Sequence, residues 1–318
     1  MLRVILVGYG DLASSLMLGI LESNHRLVSV FRWDKTESNG VMSFIKDSFW
    51  PNNFLSLIKS YKIPEINAKS INSEKFIKQA LKLQPDVILI GAWGEKIKSN
   101  TIILPKIACV NCHPSLLPAH RGPNPYATVI KQGEIKTGIT FHLMDEKIDT
   151  GPILLQKEIN ILESDTGGSL REKCAFTARE SVKELLDNLE NALLLPQKQD
   201  ESKASYFPRL TQEDAVINWE MPAIKIYNQI RGLQPWIDCF TRYKKQFLMI
   251  KSSKIVKLKK SVYNPGKILS KSKKGIIVST GDPEKALLIS NLSIYGFLKI
   301  FSDDFIRKIK VGSYMEEI

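Results

Sequence analysis

The sequence predicts an α/β fold, a doubly wound and mostly parallel sheet, followed by a small β-barrel domain. Three observations carry that expectation. Apolar runs at 3–8, 27–31 and 86–90 alternate with helical patterns, as strands buried on both faces of a parallel sheet require. Past residue 209 the pattern changes to many short strand-like runs separated by turn signals, which reads as a barrel or sandwich. A length of 318 residues suits two domains.

Composition excludes other classes. With 43% hydrophobic and 25% charged residues the chain can bury a sizeable core and stay soluble. Its apolar runs are short and broken by charge, so no membrane span is expected. Met1-Leu2-Arg3-Val4 opens a first strand, not a signal peptide, and the chain is expected in the cytosol.

The elements follow in order. After strand 3–8, residues 11–23 have helical spacing, with Leu12, Leu16, Leu18 and Ile20 apolar. Between them Gly8-Tyr9-Gly10-Asp11-Leu12-Ala13 fits G-x-G-x-x-A, inviting a dinucleotide with Asp34 as ribose ligand. Two glycines at a first strand-to-helix turn serve any doubly wound sheet equally well, and the structural role is the expectation. Residues 32–51 are irregular, with a turn at Asn39-Gly40. Helices are expected at 54–61 and 73–83, the second opened by Ser73. Strand 86–90 ends in Gly91-Ala92-Trp93-Gly94, whose glycines let backbone approach a flat ligand; Trp93 could equally pack in the core.

The organising stretch comes next. Strand 107–110 delivers Asn111 and His113 two residues apart, hence on one side. A loop stiffened by Pro114, Pro118, Pro123 and Pro125 carries Arg121-Gly122. Strand 137–144 follows, and Asp149 stands just past its end. At one end of a sheet these three would supply a hydrogen-bonding amide, a titrating imidazole and an anion to orient it.

Residues 152–161 read as another strand, and 165–169 offer caps for a helix from Leu170 to about Leu193. The polar, aperiodic stretch 197–206 is the linker candidate, dividing the chain into 1–195, a linker 196–208, and 209–318. Beyond it a helix is expected at 223–231. Strands are expected at 239–243, 246–251, 255–259, 266–270, 275–280, 286–294 and 305–311.

Cys109 and Cys112 form a C-x-x-C, but a zinc site needs two further ligands, so buried thiols and no metal are expected. The net charge of +12 is uneven. Residues 209–318 hold 20 Lys plus Arg against 10 Asp plus Glu, and the rest holds 25 against 23. A positive surface of that kind draws in a polyanion through phosphate contacts.

Asn111, His113, Ser115-Leu116-Leu117-Pro118, Arg121-Gly122 and Asp149-Thr150-Gly151 together resemble the signature of the 10-formyltetrahydrofolate-dependent formyltransferases. The resemblance implies a Rossmann-like catalytic domain over 1–195 in which Asn111, His113 and Asp149 are catalytic. Asn111 would donate to an oxyanion, and His113 and Asp149 would handle the proton, in an order the sequence leaves open. It implies folate contacts from Ser115, Leu116, Leu117, Pro118, Gly91, Trp93 and Asp145. No metal or covalent enzyme intermediate is required by such a transfer. Leu210, Glu213, Asp214, Ala215, Ile217, Trp219, Ile230-Arg231 and Pro235-Trp236 resemble the second domain of the tRNA-directed branch, an oligonucleotide-binding-type barrel. The implied acceptor is the amino group of methionine on initiator tRNA. Two departures keep an amino-sugar nucleotide or other small amine open as the alternative acceptor. Segment 32–40 lacks that branch's Pro-Asp-Arg-Pro-x-Gly-Arg pattern, and Pro114 stands where the branch has Gly.

Overall fold

The structure, a computed structural model, describes residues 1–32, 54–259, 263–294, 305 and 307–316. Asp34, the Asn39-Gly40 turn and the rest of segment 33–40 lie outside the described residues. The chain divides into two compact units, one of residues 1–125, 136–160 and 171–208, the other of 126–135, 161–170 and 209–318.

In the first unit the parallel strands are β1 (Arg3–Gly8), β2 (Arg26–Arg32), β3 (Val87–Gly91) and β4 (Ala108–His113). Two antiparallel strands, β5 (Lys136–Leu143) and β6 (Ile153–Asn160), extend the sheet in the order β2-β1-β3-β4-β5-β6. Helix α1 (Gly10–Leu21) buries Leu12, Ala13, Leu16, Met17 and Ile20, the 3.6-residue stripe its sequence carries. A Cβ on Gly8 would stand 2.0 Å from the Gly91 carbonyl oxygen, so Gly8 is what lets β1 and β3 end side by side beneath α1.

Helix α2 (Phe54–Ser60) precedes α3 (Glu74–Leu83), where the Ser73 side chain accepts from the Phe76 N–H and Gln84 at φ 46° closes the helix. Phe76 and Ala80 of α3 pack with Ile5, Val7, Ile88, Ile90 and Cys109. A short α4 (Ser99–Ile102) and α5 (Pro125–Gln132) follow. Helix α6 (Gly167–Glu190) begins earlier than expected because Thr166 and Ser169 cap one another's N–H groups. It runs against α1, where a Cβ on Gly19 would meet Val182 at 2.4 Å. The polar stretch read as a linker is fastened to this unit: Gln197 bridges Ile153, and Tyr206 bridges Arg121.

The second unit holds β7 (Cys239–Tyr243), β8 (Gln246–Lys257), β9 (Ile268–Ser272), β10 (Gly275–Ser279) and β11 (Lys285–Ile294), antiparallel in the order β7-β8-β11-β10-β9. The two strands expected at 246–251 and 255–259 are the single strand β8. Ser253 and Ser252, in the middle of β8, stay paired with Ile289 and Asn291 of β11, where the register shifts on either side of Asn291. The strand expected at 305–311 is also corrected. Phe305, Arg307 and Lys308 are helical, and Lys271 Nζ donates to the carbonyls of Arg307 and Ile309, finishing that turn. The strand pairing falls instead to Tyr314, which bridges Lys267, and Glu316, which bridges Arg242. One segment thus reaches both edges of the five-stranded sheet and joins it into a barrel. Helix α7 (Ala223–Leu233) covers it with Ala223, Ile226, Ile230 and Leu233, in one core with Trp219 and Leu248. Among the described residues no helix is long and apolar enough to cross a membrane.

Candidate active site

Strand β4 places Asn111 and His113 on the same side, two residues apart at its C-terminal end. Antiparallel β5 sets His142 opposite Asn111 and Thr140 opposite His113. Asp149 arrives from the loop between β5 and β6 with φ 54°, a left-handed conformation that costs a side-chain-bearing residue about 1 kcal/mol or more. That backbone is held from outside. Gln199 Nε2 donates to the Asp149 carbonyl at 2.9 Å and to the Gly151 carbonyl at 2.7 Å. Gln199 Oε1 in turn accepts from Arg121 Nε at 3.2 Å and Nη2 at 2.7 Å, and Arg121 pairs with Glu201 at 2.8 Å.

The carboxylate of Asp149 is the centre of the cluster. Oδ2 accepts the Gly122 N–H at 2.9 Å and lies 3.5 Å from His113 Nδ1. Oδ1 accepts from Asn111 Nδ2 at 3.3 Å and lies 3.7 Å from His142 Nε2. Burial on its own raises the Asp149 carboxyl, but the His113 and His142 imidazoles and the Gly122 N–H outweigh it and hold the group well below the usual carboxylate range. Asp149 is therefore an anion. His113 Nε2 is 2.9 Å from the His120 carbonyl, so both nitrogens of this ring face acceptors. Asn111 Nδ2 also lies 3.1 Å from His142 Nε2. Asn111 and Asp149 keep partial exposure, while His113 and His142 are buried. A half-accessible amide beside an anion and an imidazole can receive a developing oxyanion and move a proton.

Gly122 explains the Arg-Gly pair. It sits at φ 111°, and a Cβ there would be 2.2 Å from the Phe207 carbonyl oxygen. The other expected residues are distributed around this centre. Gly91 pairs with Cys112 and so begins its turn beside Asn111, with Ala92 at φ 60°. Trp93 is half-buried, 5.3 Å from the Phe31 ring, and packs against the α3 side of the sheet. Ser115 is buried, its Oγ donating to the Ala119 carbonyl and its own carbonyl accepting from Thr140 Oγ1. Leu116 lies over Gly138, and Leu117, which accepts from Gln156 Nε2, leads into Pro118 through a cis bond. Asp145 accepts from Thr150 Oγ1 and the Lys147 N–H, so it shapes the loop that presents Asp149.

Two contributors escape a reading of motifs. His142 had a signal, an imidazole between Phe141 and Leu143 near the end of its strand. Gln199 had none, lying in a polar stretch without periodicity. The C-x-x-C divides across the sheet: Cys109 joins the Ile88–Ile90 face and Cys112 neighbours Cys174 on the other. Burial pushes the Cys109 thiol up to about 12, and Cys112 is raised as well. Among the described residues no group of three or more His, Cys, Asp or Glu is arranged to hold a metal ion.

Comparison with known proteins bears on both units. The profile of the Formyl transferase family matches residues 35–186, and that of the Formyl transferase C-terminal domain matches 209–309. The methionyl-tRNA formyltransferase of Bacillus subtilis is 32% identical over 99% of this chain and 96% of its own length. That of Caldanaerobacter subterraneus subsp. tengcongensis is 35% identical over 99% and 98%. Among solved structures, the N-formyltransferase from Helicobacter canadensis, in complex with folinic acid and dTDP-3-aminofucose, superposes with a TM-score of 0.67 at 19% identity, covering 92% of this chain and all of that one. WlaRD, a sugar 3N-formyl transferase, gives 0.68 at 19% over 94% and 99%. At such identities the likeness is one of fold.

Proposed function

Since the chain belongs to the formyl transferase family, we propose that it transfers a formyl group from 10-formyltetrahydrofolate to the amino group of methionine on initiator tRNA. The observation that carries the acceptor is similarity at 32–35% identity to methionyl-tRNA formyltransferases over nearly the whole of both chains. It spans the second unit, where 20 basic residues face 10 acidic ones between 209 and 318. Lys251, Lys254 and Lys257 occupy exposed positions of β8, suited to phosphate contacts.

The chemistry asked of the chain is modest, because the folate brings an acyl group already activated on nitrogen. The Asn111 amide donates to the oxyanion that forms when the amine attacks, a contribution typically worth about 10²–10³ in rate. His113, with an acceptor at each nitrogen, is placed to pass a proton to the departing nitrogen. Asp149, held as an anion 3.5 Å from Nδ1, orients that imidazole, and the pair relays the proton leaving the amine. The turn from Gly91 to Trp93, the Ser115-Leu116-Leu117-Pro118 loop and Asp145 border this centre and are the folate contacts we assign. Their fit rests on one feature, a left-handed turn at Ala92 that brings bare backbone to the end of β3.

Pro114 and the composition of 32–40 favour a nucleotide-linked amino sugar as the second reading. One assay separates the two: the protein with 10-formyltetrahydrofolate and either charged initiator tRNA or a panel of nucleotide-linked amino sugars. Formylation of the tRNA, weakening steeply with added salt, is the expected result. Turnover of a sugar with no transfer to tRNA would replace it with the second reading.

A further inference from the structure

We propose that Tyr206 is an acceptor-binding residue, its exposed ring stacking the 3′-terminal nucleobase of the charged tRNA beside Asp149. The inference rests on the formyl-transfer reading above and deepens it by naming the part of the acceptor gripped at the reacting centre.

The segment that carries Tyr206 is laced to the loop that holds Arg121-Gly122. The Arg121 N–H donates to the Ser205 carbonyl at 2.9 Å, and the Phe207 N–H donates to the Arg121 carbonyl at 2.9 Å. Ser205 Oγ accepts the His120 N–H at 2.9 Å, and the Phe207 ring stacks on the His120 ring at 5.0 Å and 11°. Between these anchors the Tyr206 ring lies against Gly122, with Cε2 3.3 Å from the place a Cβ would take there. Gly122 is the residue whose N–H binds Asp149 Oδ2 at 2.9 Å. Chained through that one residue, the ring edge is at most about 9 Å from the catalytic carboxylate.

Such a ring is a platform: its backbone is fastened on both sides, yet its side chain is 54% exposed. A platform fixed beforehand costs little ordering when a ligand engages it. Two parts of an aminoacyl acceptor could meet it, the methionine thioether and the base. The surroundings favour the base. A thioether gains by enclosure among apolar side chains, whereas Glu201, Ser202, Lys203 and Pro208, the near neighbours in the chain, are exposed and mostly polar. A base lays one face on the ring and keeps its polar edge in water, and stacking asks for no more. The reach agrees as well. In an aminoacyl ester the amine and the base hang on one ribose, at most about 9 Å apart along the bonds. An amine presented to Asp149 therefore brings its base within range of Tyr206.

The test is a double-mutant cycle between ring and base. Methionyl-tRNA, acylated chemically, is offered with its terminal adenine in place or with an abasic ribose there. The proteins are the parent, Tyr206→Phe and Tyr206→Leu. Removing the base should raise the parent's KM for tRNA between about five-fold and a hundred-fold, the worth of one stacked base, with kcat changed far less. Tyr206→Leu should show that loss with intact tRNA and almost none further with the abasic one. Tyr206→Phe, which keeps the ring, should recover most of the parent's response. An abasic penalty as large in Tyr206→Leu as in the parent, or none in the parent, overturns the proposal. So does recovery by Tyr206→Leu, or a rise in the KM for 10-formyltetrahydrofolate in place of that for tRNA. A KM shift for a nucleotide-linked amino sugar, with none for tRNA, gives the ring to the other acceptor and overturns it too. Tyr206→Gln takes the place of Tyr206→Leu should the latter not fold. Binding of the same tRNAs uncharged, followed by fluorescence anisotropy, repeats the cycle without turnover. Should the parent formylate no tRNA, the functional reading fails, and the coupling of ring to base in that binding cycle still judges Tyr206; its absence there overturns the proposal.

Discussion

Replacing Gln199 by Ala tests whether the catalytic loop is held from outside itself. The side chain is 4% exposed and makes four hydrogen bonds, donating to the Asp149 and Gly151 carbonyls and accepting two from Arg121. At about 1 kcal/mol for each neutral bond, and about 1.5 kcal/mol for the guanidinium contacts discounted for the remaining Glu201 partner, Gln199→Ala should cost about 3–4 kcal/mol. For a chain of this size that is a fall in melting temperature of roughly 6–12 °C. Gln199→Glu is the discriminating control. It keeps the acceptor for Arg121 but turns an oxygen toward two carbonyls, so it should recover only the guanidinium share. Urea unfolding followed by tryptophan fluorescence gives both numbers. Since the same bonds hold Asp149 at φ 54°, turnover of the folded Ala variant should drop as well. An Ala variant within about 0.5 kcal/mol of the parent, or a Glu variant fully as stable, would refute the reasoning.

Two further expectations follow from the same cluster. Gly122→Ala adds a Cβ 2.2 Å from the Phe207 carbonyl at a φ of 111° and displaces the N–H that binds Asp149, so stability should fall by about 2–4 kcal/mol and transfer should collapse; a variant with parental melting and rate would contradict the assigned role of that N–H. The carboxyl of Asp149 is lower in the folded protein than in the unfolded chain, so its contribution is complete above about pH 4 and is lost as the pH falls through the folded value. Urea melts of parent and Asp149→Asn between about pH 5 and pH 2 should show the steeper acid loss in the parent, and equal slopes would count against the ionised carboxylate.

Much of the first unit was legible before any coordinates. Strands β1 and β3 are covered on both faces, so 4–7 and 87–90 are unbroken apolar runs, and Ser73 announces α3 by its own cap. Asn111, His113 and Asp149 were legible because they lie within one motif whose chemistry constrains residue type. Their supports were not. Gln199 reaches the loop by side-chain bonds across 50 residues, and nothing in its neighbours marks it. The barrel was harder than the sheet for a related reason. Its closure depends on isolated bridges at Tyr314 and Glu316, too short to impose an alternating pattern, while the apolar residues at 305–311 imitate a strand where Phe305, Arg307 and Lys308 are helical. Gly8 and Gly10 show the converse hazard, a fingerprint whose first glycine is explained by the approach of the Gly91 carbonyl.

The segment that ties Lys267 to Arg242 has an effect on recognition. On one margin the Phe240 carbonyl accepts from Ile217 and Arg242 exchanges both backbone bonds with Glu316; on the other, Ile268 accepts from Gly312 and donates to Ser313. Strand addition, by which many small β domains capture peptides or their own copies, meets margins already engaged at these points. Whatever the barrel holds must then be gripped by side chains, and each lysine becomes an independent dial: exchanging them singly for glutamine should retune affinity in small steps while the barrel's melting point stays put.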